Sequence, residues 1–413
     1  MILLRKAKIF DVRSRHHLKT SDVLIEKGII TRIAKNIRPD KKTKVVESKS
    51  LCISPGWLDI GCFNGEPGFE YREDLESLAQ AAQQGGYCRI APFPTGSPTL
   101  DSKGQLAYFK AATTDFVVDF VPIASVTKDR SGIDLAELLD LHNTGAQAFS
   151  DGLEDRMSGP QILRCLLYLK TPNALSIFNT CPTGTGHMHE GAISVQMGLE
   201  GMPEHLEEER INLITKQSEY AGARILFHNI STTGCLKEIS KSTNSGLITT
   251  SVAFLNLVKS DEDVLDFDLN LKTVPPLRNN KKALSKAVES GQVNIITSNH
   301  NPRSIEEKDQ PFGLSDFGAS TLDTVFPALN TYSKGISLER IIHCLSIGPH
   351  DTLGLDCPII AKGSEAVLTV FDPSKSTQFS PESLKSKSKN NPFVDEKLTG
   401  QVLGIVNGRK STI

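Results

Sequence analysis

Apolar and polar positions alternate along the first fifty residues as they do in strands with one buried face: ILLRKAKIFDV, then SDVLIEKGIITRIA with a Lys-Gly turn inside it, then KKTKVVES. From about Pro55 the pattern changes. Short apolar runs (CRIAPF, FVVDFVPIA, AQAFSD, ALSIFNT, ARILFHNIS, GLITTSVA, VNIITSNH) now alternate with amphipathic stretches such as REDLESLAQAAQQGG and PEHLEEERINLITKQSEYAG. Strands alternating with helices predict a parallel sheet, and about eight such units over roughly 300 residues predict a closed (β/α)8 barrel of the TIM type over an open doubly wound sheet. The end of the chain, GSEAVLTVFDP and KLTGQVLGIVNGRKST, returns to strand alternation. The expected organisation is a barrel over residues 54–358 and one discontinuous β-domain made from 1–53 and 359–413. Between the last two strand runs, SKSTQFSPESLKSKSKNNPF reads as a polar Ser/Lys loop with little to bury.

Composition narrows the function classes. With 38% hydrophobic and 23% charged residues and a formal net charge of -2, the 413-residue chain reads as a soluble globular protein, with no electrostatic reason to bind nucleic acid or membrane. No apolar run approaches the roughly eighteen residues of a membrane span, and MILLRKAKIF is too short and too basic for a signal-peptide core. Eight cysteines lie scattered without a C-x-x-C pair, which fits a reducing compartment, so a cytoplasmic protein is expected.

Several long stretches carry a resemblance: SPGWLDI, EPGFEYREDLESLAQAAQQGG, AFSDG, GHMHEGAISVQMGLEGMPEHLEEER, PPLR, IEEKD and the closing VNG. Through them almost the whole chain resembles dihydroorotases of the amidohydrolase superfamily. The resemblance implies a metallo-dependent hydrolase barrel, with zinc at its C-terminal mouth activating water for attack on a cyclic amide and an aspartate moving the proton. It also implies pyrimidine synthesis, a homodimer and association with aspartate carbamoyltransferase.

The positions to which the resemblance assigns chemistry are largely altered. In DIGCFNGEPG the Asp-x-His-x-His ligand pair falls on Gly61 and Phe63, and the arginine that grips the substrate carboxylate falls on Gly65. Two further histidines fall on Asn179 and Asn229, with His228 one residue off and expected on the opposite face. The proton-shuttling aspartate falls on Asn299, a later histidine on Arg303, and substrate-binding asparagines on Thr95, Ser97 and Val274. Asp151 alone is retained as a metal ligand, and one carboxylate does not hold a catalytic zinc. Neither zinc nor another cofactor is therefore expected.

His187 and His189 have i, i+2 spacing, and Cys62, Cys181 and His300 fall near the expected mouth, but the GHMHEG segment reads as an ordinary loop-to-helix transition. Asp151 with His300 remains a pair able to take an adventitious ion. Three readings follow: a non-catalytic structural or regulatory partner of aspartate carbamoyltransferase, of the kind some bacteria use to assemble that enzyme; an active dihydroorotase or related cyclic amidohydrolase with a rebuilt site; and a small-molecule sensor using the old pocket. The first accounts best for an intact framework around a dismantled site.

Overall fold

The computed structural model describes residues 1–181, 184–243 and 245–413. Eight parallel barrel strands start with Trp57–Ile60 and Tyr87–Ala91, and the third is split by Pro122 into Asp119–Phe120 and Ile123–Ala124. Ala148–Phe149, Leu175–Asn179, Ile225–His228, Ile248–Ala253 and Ile295–Thr297 complete the set. Each piece pairs in parallel with its neighbour, apart from the break inside the third strand. The circle closes where Phe63 N donates to His300 O (2.8 Å) and where Asp59 accepts from Ser298 N (2.7 Å) and Ser298 Oγ (2.6 Å). The fold is a (β/α)8 barrel of the TIM type with an attached β-domain.

The lumen is packed solid. Leu58, Ile60, Phe93, Ile177, Leu226 and Ile295 belong to one buried cluster, while Trp57, Cys62 and Phe178 belong to the layer between strands and outer helices. This is the alternation of a strand buried on both faces. Helix Leu75–Gly85 starts at a capping box between Asp74 and Ser77, and Glu204–Ala221 stops at Gly222 in the left-handed conformation.

In the β-domain the chain ends meet. Val367–Gln378 pairs antiparallel with Cys52–Pro55 on one side and Lys397–Asn407 on the other, and Cys52–Pro55 continues through Ile2–Ile9 to the hairpin Thr20–Glu26 and Ile29–Ala34. The Lys-Gly turn of that hairpin needs positive φ at both residues (51° and 83°), and a Cβ on Gly28 would lie 2.6 Å from the Gly408 carbonyl carbon. The sheet's last N-terminal strand reaches Pro55, two residues past the expected boundary.

The eight cysteines are free thiols, seven of them buried. Among the described residues no helix is long and apolar enough to cross a membrane.

Candidate functional site at the barrel mouth

The C-terminal strand ends bring Gly61, Asn179, Asn229 and Asn299 to one end of the barrel, where all four are buried. Asn229 is the hub. Its Nδ2 donates to Asn299 Oδ1 (3.1 Å) and to His228 Nε2 (2.9 Å), and its Oδ1 accepts from Thr297 Oγ1 (2.6 Å) and Ser251 Oγ (3.3 Å). Asn299 spends its own Nδ2 on the Val274 carbonyl (3.2 Å). Both asparagines have positive φ, 57° and 50°, a region asparagine tolerates better than most side chains.

That backbone twist corrects the expected placement of His228. Strict alternation would turn His228 away from Asn229, but alternation requires extended backbone, and the left-handed Asn229 lets the two side chains meet. The His228 ring lies edge-on to Phe93 of the lumen, with centroids 4.9 Å apart. A Cβ added to Gly61 would sit 2.4 Å from His228 Cε1 and 2.8 Å from the Phe93 ring. The imidazole therefore fills the volume that a side chain at 61 would need. Accepting at Nε2 leaves the imidazole proton on Nδ1, which is buried without a partner, and burial pushes the pKa down to about 3.

Asp151 is enclosed. Oδ1 accepts from Ser125 Oγ, Val126 N and Thr127 N at 2.8–2.9 Å, and Oδ2 accepts from Thr127 Oγ1 at 2.6 Å. A carboxylate satisfied by four protein donors stitches the third strand to the fourth. The pairing of Asp151 with His300 is corrected as well: His300 Nδ1 accepts from Thr321 N (2.9 Å) and its Nε2 faces Glu73 Oε2 (3.1 Å), so the two side chains serve different networks.

The remaining positions pack or staple loops. Phe63 stacks under the Arg72 guanidinium, 5.8 Å from the ring centroid. A Cβ on Gly65 would lie 2.1 Å from the Glu73 carbonyl oxygen, so the turn there admits no side chain. Thr95 Oγ1 donates to Asn64 O (2.6 Å) and accepts from Asn64 N (3.0 Å), and Ser97 N donates to Pro67 O (2.7 Å). Val274 packs with Cys181 and Met202 in a small apolar cluster. Arg303 binds the Phe317 carbonyl (2.8 Å) and pairs with Asp316 (3.3 Å). Asn179 donates to Leu153 O (2.6 Å) and Cys181 O (3.3 Å), leaving its Oδ1 buried without a partner. His189 Nδ1 accepts from Arg278 Nη1 (2.9 Å), and burial together with that cation lowers its pKa. His187 packs toward Gly313.

A catalytic zinc needs about three imidazole, thiolate or carboxylate donors converging at about 2.0–2.3 Å. Gly61, Phe63, Asn179 and Asn229 do not supply them, and the Asp151 carboxylate is taken. Among the described residues no group of three or more His, Cys, Asp or Glu is placed to hold a metal ion. The side chains at the mouth do not fit zinc.

Two buried networks were not anticipated from sequence. Glu73, fully buried, takes His300 Nε2 and Ser386 Oγ on one oxygen and Lys387 N (3.0 Å) on the other. It thereby clasps the Ser/Lys segment to the barrel. Arg278, also buried, donates to Ser231 Oγ (2.8 Å), lies 3.7 Å from the buried Glu207 and reaches His189. Partners separated by this much chain leave no local pattern; only the alternation within SLKSKSK, with Leu384, Ser386 and Ser388 buried and the lysines exposed, is a strand-like signal.

Comparison with known proteins places these features. No family model matches the chain. It is 32% identical over 395 residues to a dihydroorotase of Thermoanaerobacter sp., spanning 93% of this chain and 91% of the relative, and 32% identical over 394 residues to a dihydroorotase of Carboxydothermus hydrogenoformans, again spanning 93% and 91%. Among solved structures it superposes on L-hydantoinase (dihydropyrimidinase) from Arthrobacter aurescens with a TM-score of 0.86 at 18% identity, covering 98% of this chain and 95% of that one. D-hydantoinase from Thermus sp. follows with a TM-score of 0.83 at 18% identity, covering 100% and 95%. At that identity the structural likeness speaks for the fold.

Proposed function

This chain belongs to the dihydroorotase family, and we propose that it is a member in which hydrolysis has been lost and the fold serves as a structural or regulatory partner of aspartate carbamoyltransferase in cytoplasmic pyrimidine synthesis, itself assembling as a homodimer. One observation carries the reading. The space for a ligand at Gly61 is filled by a neutral His228, hydrogen-bonded into a closed set with Asn229 and Asn299. Hydrolysis of a cyclic amide at neutral pH needs a polarised carbonyl, an activated water and a group to carry the proton. An asparagine at 299 accepts and donates hydrogen bonds but takes no proton, and the amide nitrogens of Asn179, Asn229 and Asn299 are committed to acceptors within the protein.

The same geometry speaks against a sensor of pyrimidine precursors in the old pocket. With Gly65 pressed against the Glu73 carbonyl, nothing replaces the arginine that would anchor a substrate carboxylate. Dihydroorotate and carbamoyl aspartate are expected to bind more weakly than about 1 mM in equilibrium binding measurements. The partner assignment rests on the resemblance and is tested by co-expression with the aspartate carbamoyltransferase of the same genome. Co-elution and a changed transferase activity are expected; independent elution with unchanged activity contradicts the partner role. Light scattering on the isolated chain reads the homodimer.

A further inference from the structure

A groove of about 860 Å³ runs along the rim of the barrel mouth, between the Ser/Lys segment and the loops that follow the seventh and eighth strands. Its walls carry opposite charges. Lys387 and Lys389 stand exposed on the Ser/Lys side, while Asp268, Glu306 and Asp309 line the loop side. Among the described residues no ion pair joins the two walls; Lys387 pairs instead with Asp74 (2.9 Å), and Lys389 Nζ donates to Leu384 O (2.7 Å) and Ser386 O (2.6 Å). An ammonium has three donors, so both lysines keep at least one for an acceptor outside the chain. The other two cations of the lining are committed within it: Arg303 to Phe317 O and Asp316, Lys308 to Asp316 O (2.9 Å) and Gly318 O (3.0 Å).

Large apolar side chains stand in and beside the groove. Tyr71 (55% exposed) and Ile305 (74%) line it. Phe267 (49%) precedes Asp268, and Leu314 (74%) lies on a loop held to the short helix Ile305–Lys308 where Asp316 N donates to Glu307 O (3.0 Å). Side chains of this size and exposure leave on the order of 100 Å² each in water. Together that is about half of the ~800 Å² that each partner contributes to a stable interface, and charged residues around such a patch form the usual polar rim.

We propose that this groove is the contact through which two copies of the chain pair about a two-fold axis, the lysine wall of each lying on the acidic wall of the other and the four apolar side chains covered at the centre. A two-fold contact brings one patch against itself. A patch with opposite signs on separate walls complements itself in that arrangement, whereas a partner of a single sign meets repulsion from one wall. The proposal rests on the homodimer reading and names its surface.

The test is light scattering of the full chain over a range of concentrations, with circular dichroism to check the fold of each variant. The parent is expected to dimerise, more weakly as salt rises. Lys387→Glu/Lys389→Glu and Glu306→Lys/Asp309→Lys each place like charges across the contact, and each is expected to weaken the dimer about tenfold or more. Mixed together, the two variants are expected to form a heterodimer near the parent's affinity, because both contacts then join opposite charges. Ile305→Arg, at an exposed side chain, is expected to weaken the dimer similarly and carries the test if a charge variant does not fold. A parent dimer retained within about twofold by the folded variants, or charge variants that weaken it and do not recover on mixing, overturns this surface and leaves the homodimer standing. A monomeric parent overturns both.

Discussion

Residue by residue, the barrel mouth behaves as packed core. Gly61 makes the case most sharply, since placing a histidine there forces a Cβ against His228 and Phe93 in a left-handed backbone at φ 88°. Gly61→His is expected to destabilise the protein by about 3 kcal/mol or more in urea unfolding and to gain no bound zinc; a variant as stable as the parent would contradict the packing. His228 sets a pH dependence. Its folded pKa of about 3 lies below the ordinary 6.5, so between these values only the unfolded chain takes the proton. Stability from this group is complete above pH 6.5 and is withdrawn as pH falls toward 3, at up to about 1.4 kcal/mol per unit. Asp59, pushed up to about 6 by burial, acts with the opposite sign: its cost is full above pH 6 and fades as pH falls toward 3.8. Unfolding midpoints across pH 4 to 7 should therefore show His228→Gln losing acid sensitivity relative to the parent, and parallel profiles would exclude a buried neutral imidazole. Asp151→Asn, which breaks charge-assisted bonds to the third strand, is expected to cost about 2–4 kcal/mol with no change in metal content.

Among the elements, the strands and the two long amphipathic helices were legible because their periodicities of 2 and 3.6 are local. The Ser/Lys segment was not. Read as a polar loop, it instead buries Leu384, Ser386, Asn391 and Phe393, and it ties to Glu73, to the Arg72 carbonyl through Ser388 Oγ (2.8 Å) and to Ser320 through Asn391 Nδ2 (2.6 Å). Its anchors at Glu73 and Arg72 lie some three hundred residues away along the chain and Ser320 lies 71 residues from Asn391, all beyond the reach of any window. Glu73→Gln should raise amide hydrogen exchange across residues 384–391 while leaving the strand Ile225–His228 protected. A uniform rise would mean that Glu73 supports the whole barrel and not this clasp. His228 was misplaced for a related reason: alternation assumes an extended backbone, and Asn229 departs from it.

At the scale of the whole molecule, the barrel and the union of the chain ends in one sheet followed from the order of strand-like and helix-like stretches. Which residues stand at these strand ends was also readable, since Gly61, Phe63, Asn179, Asn229 and Asn299 are plain in the chain. What fills the mouth was not, because the filling of the Gly61 volume by His228 and the enclosure of Asp151 by four donors depend on side chains from several strands. The direct measurement is steady-state hydrolysis of dihydroorotate by the purified chain in zinc-containing buffer. The account predicts no turnover above the protein-free rate; turnover on the order of 1 s⁻¹, ordinary for an enzyme, would contradict it.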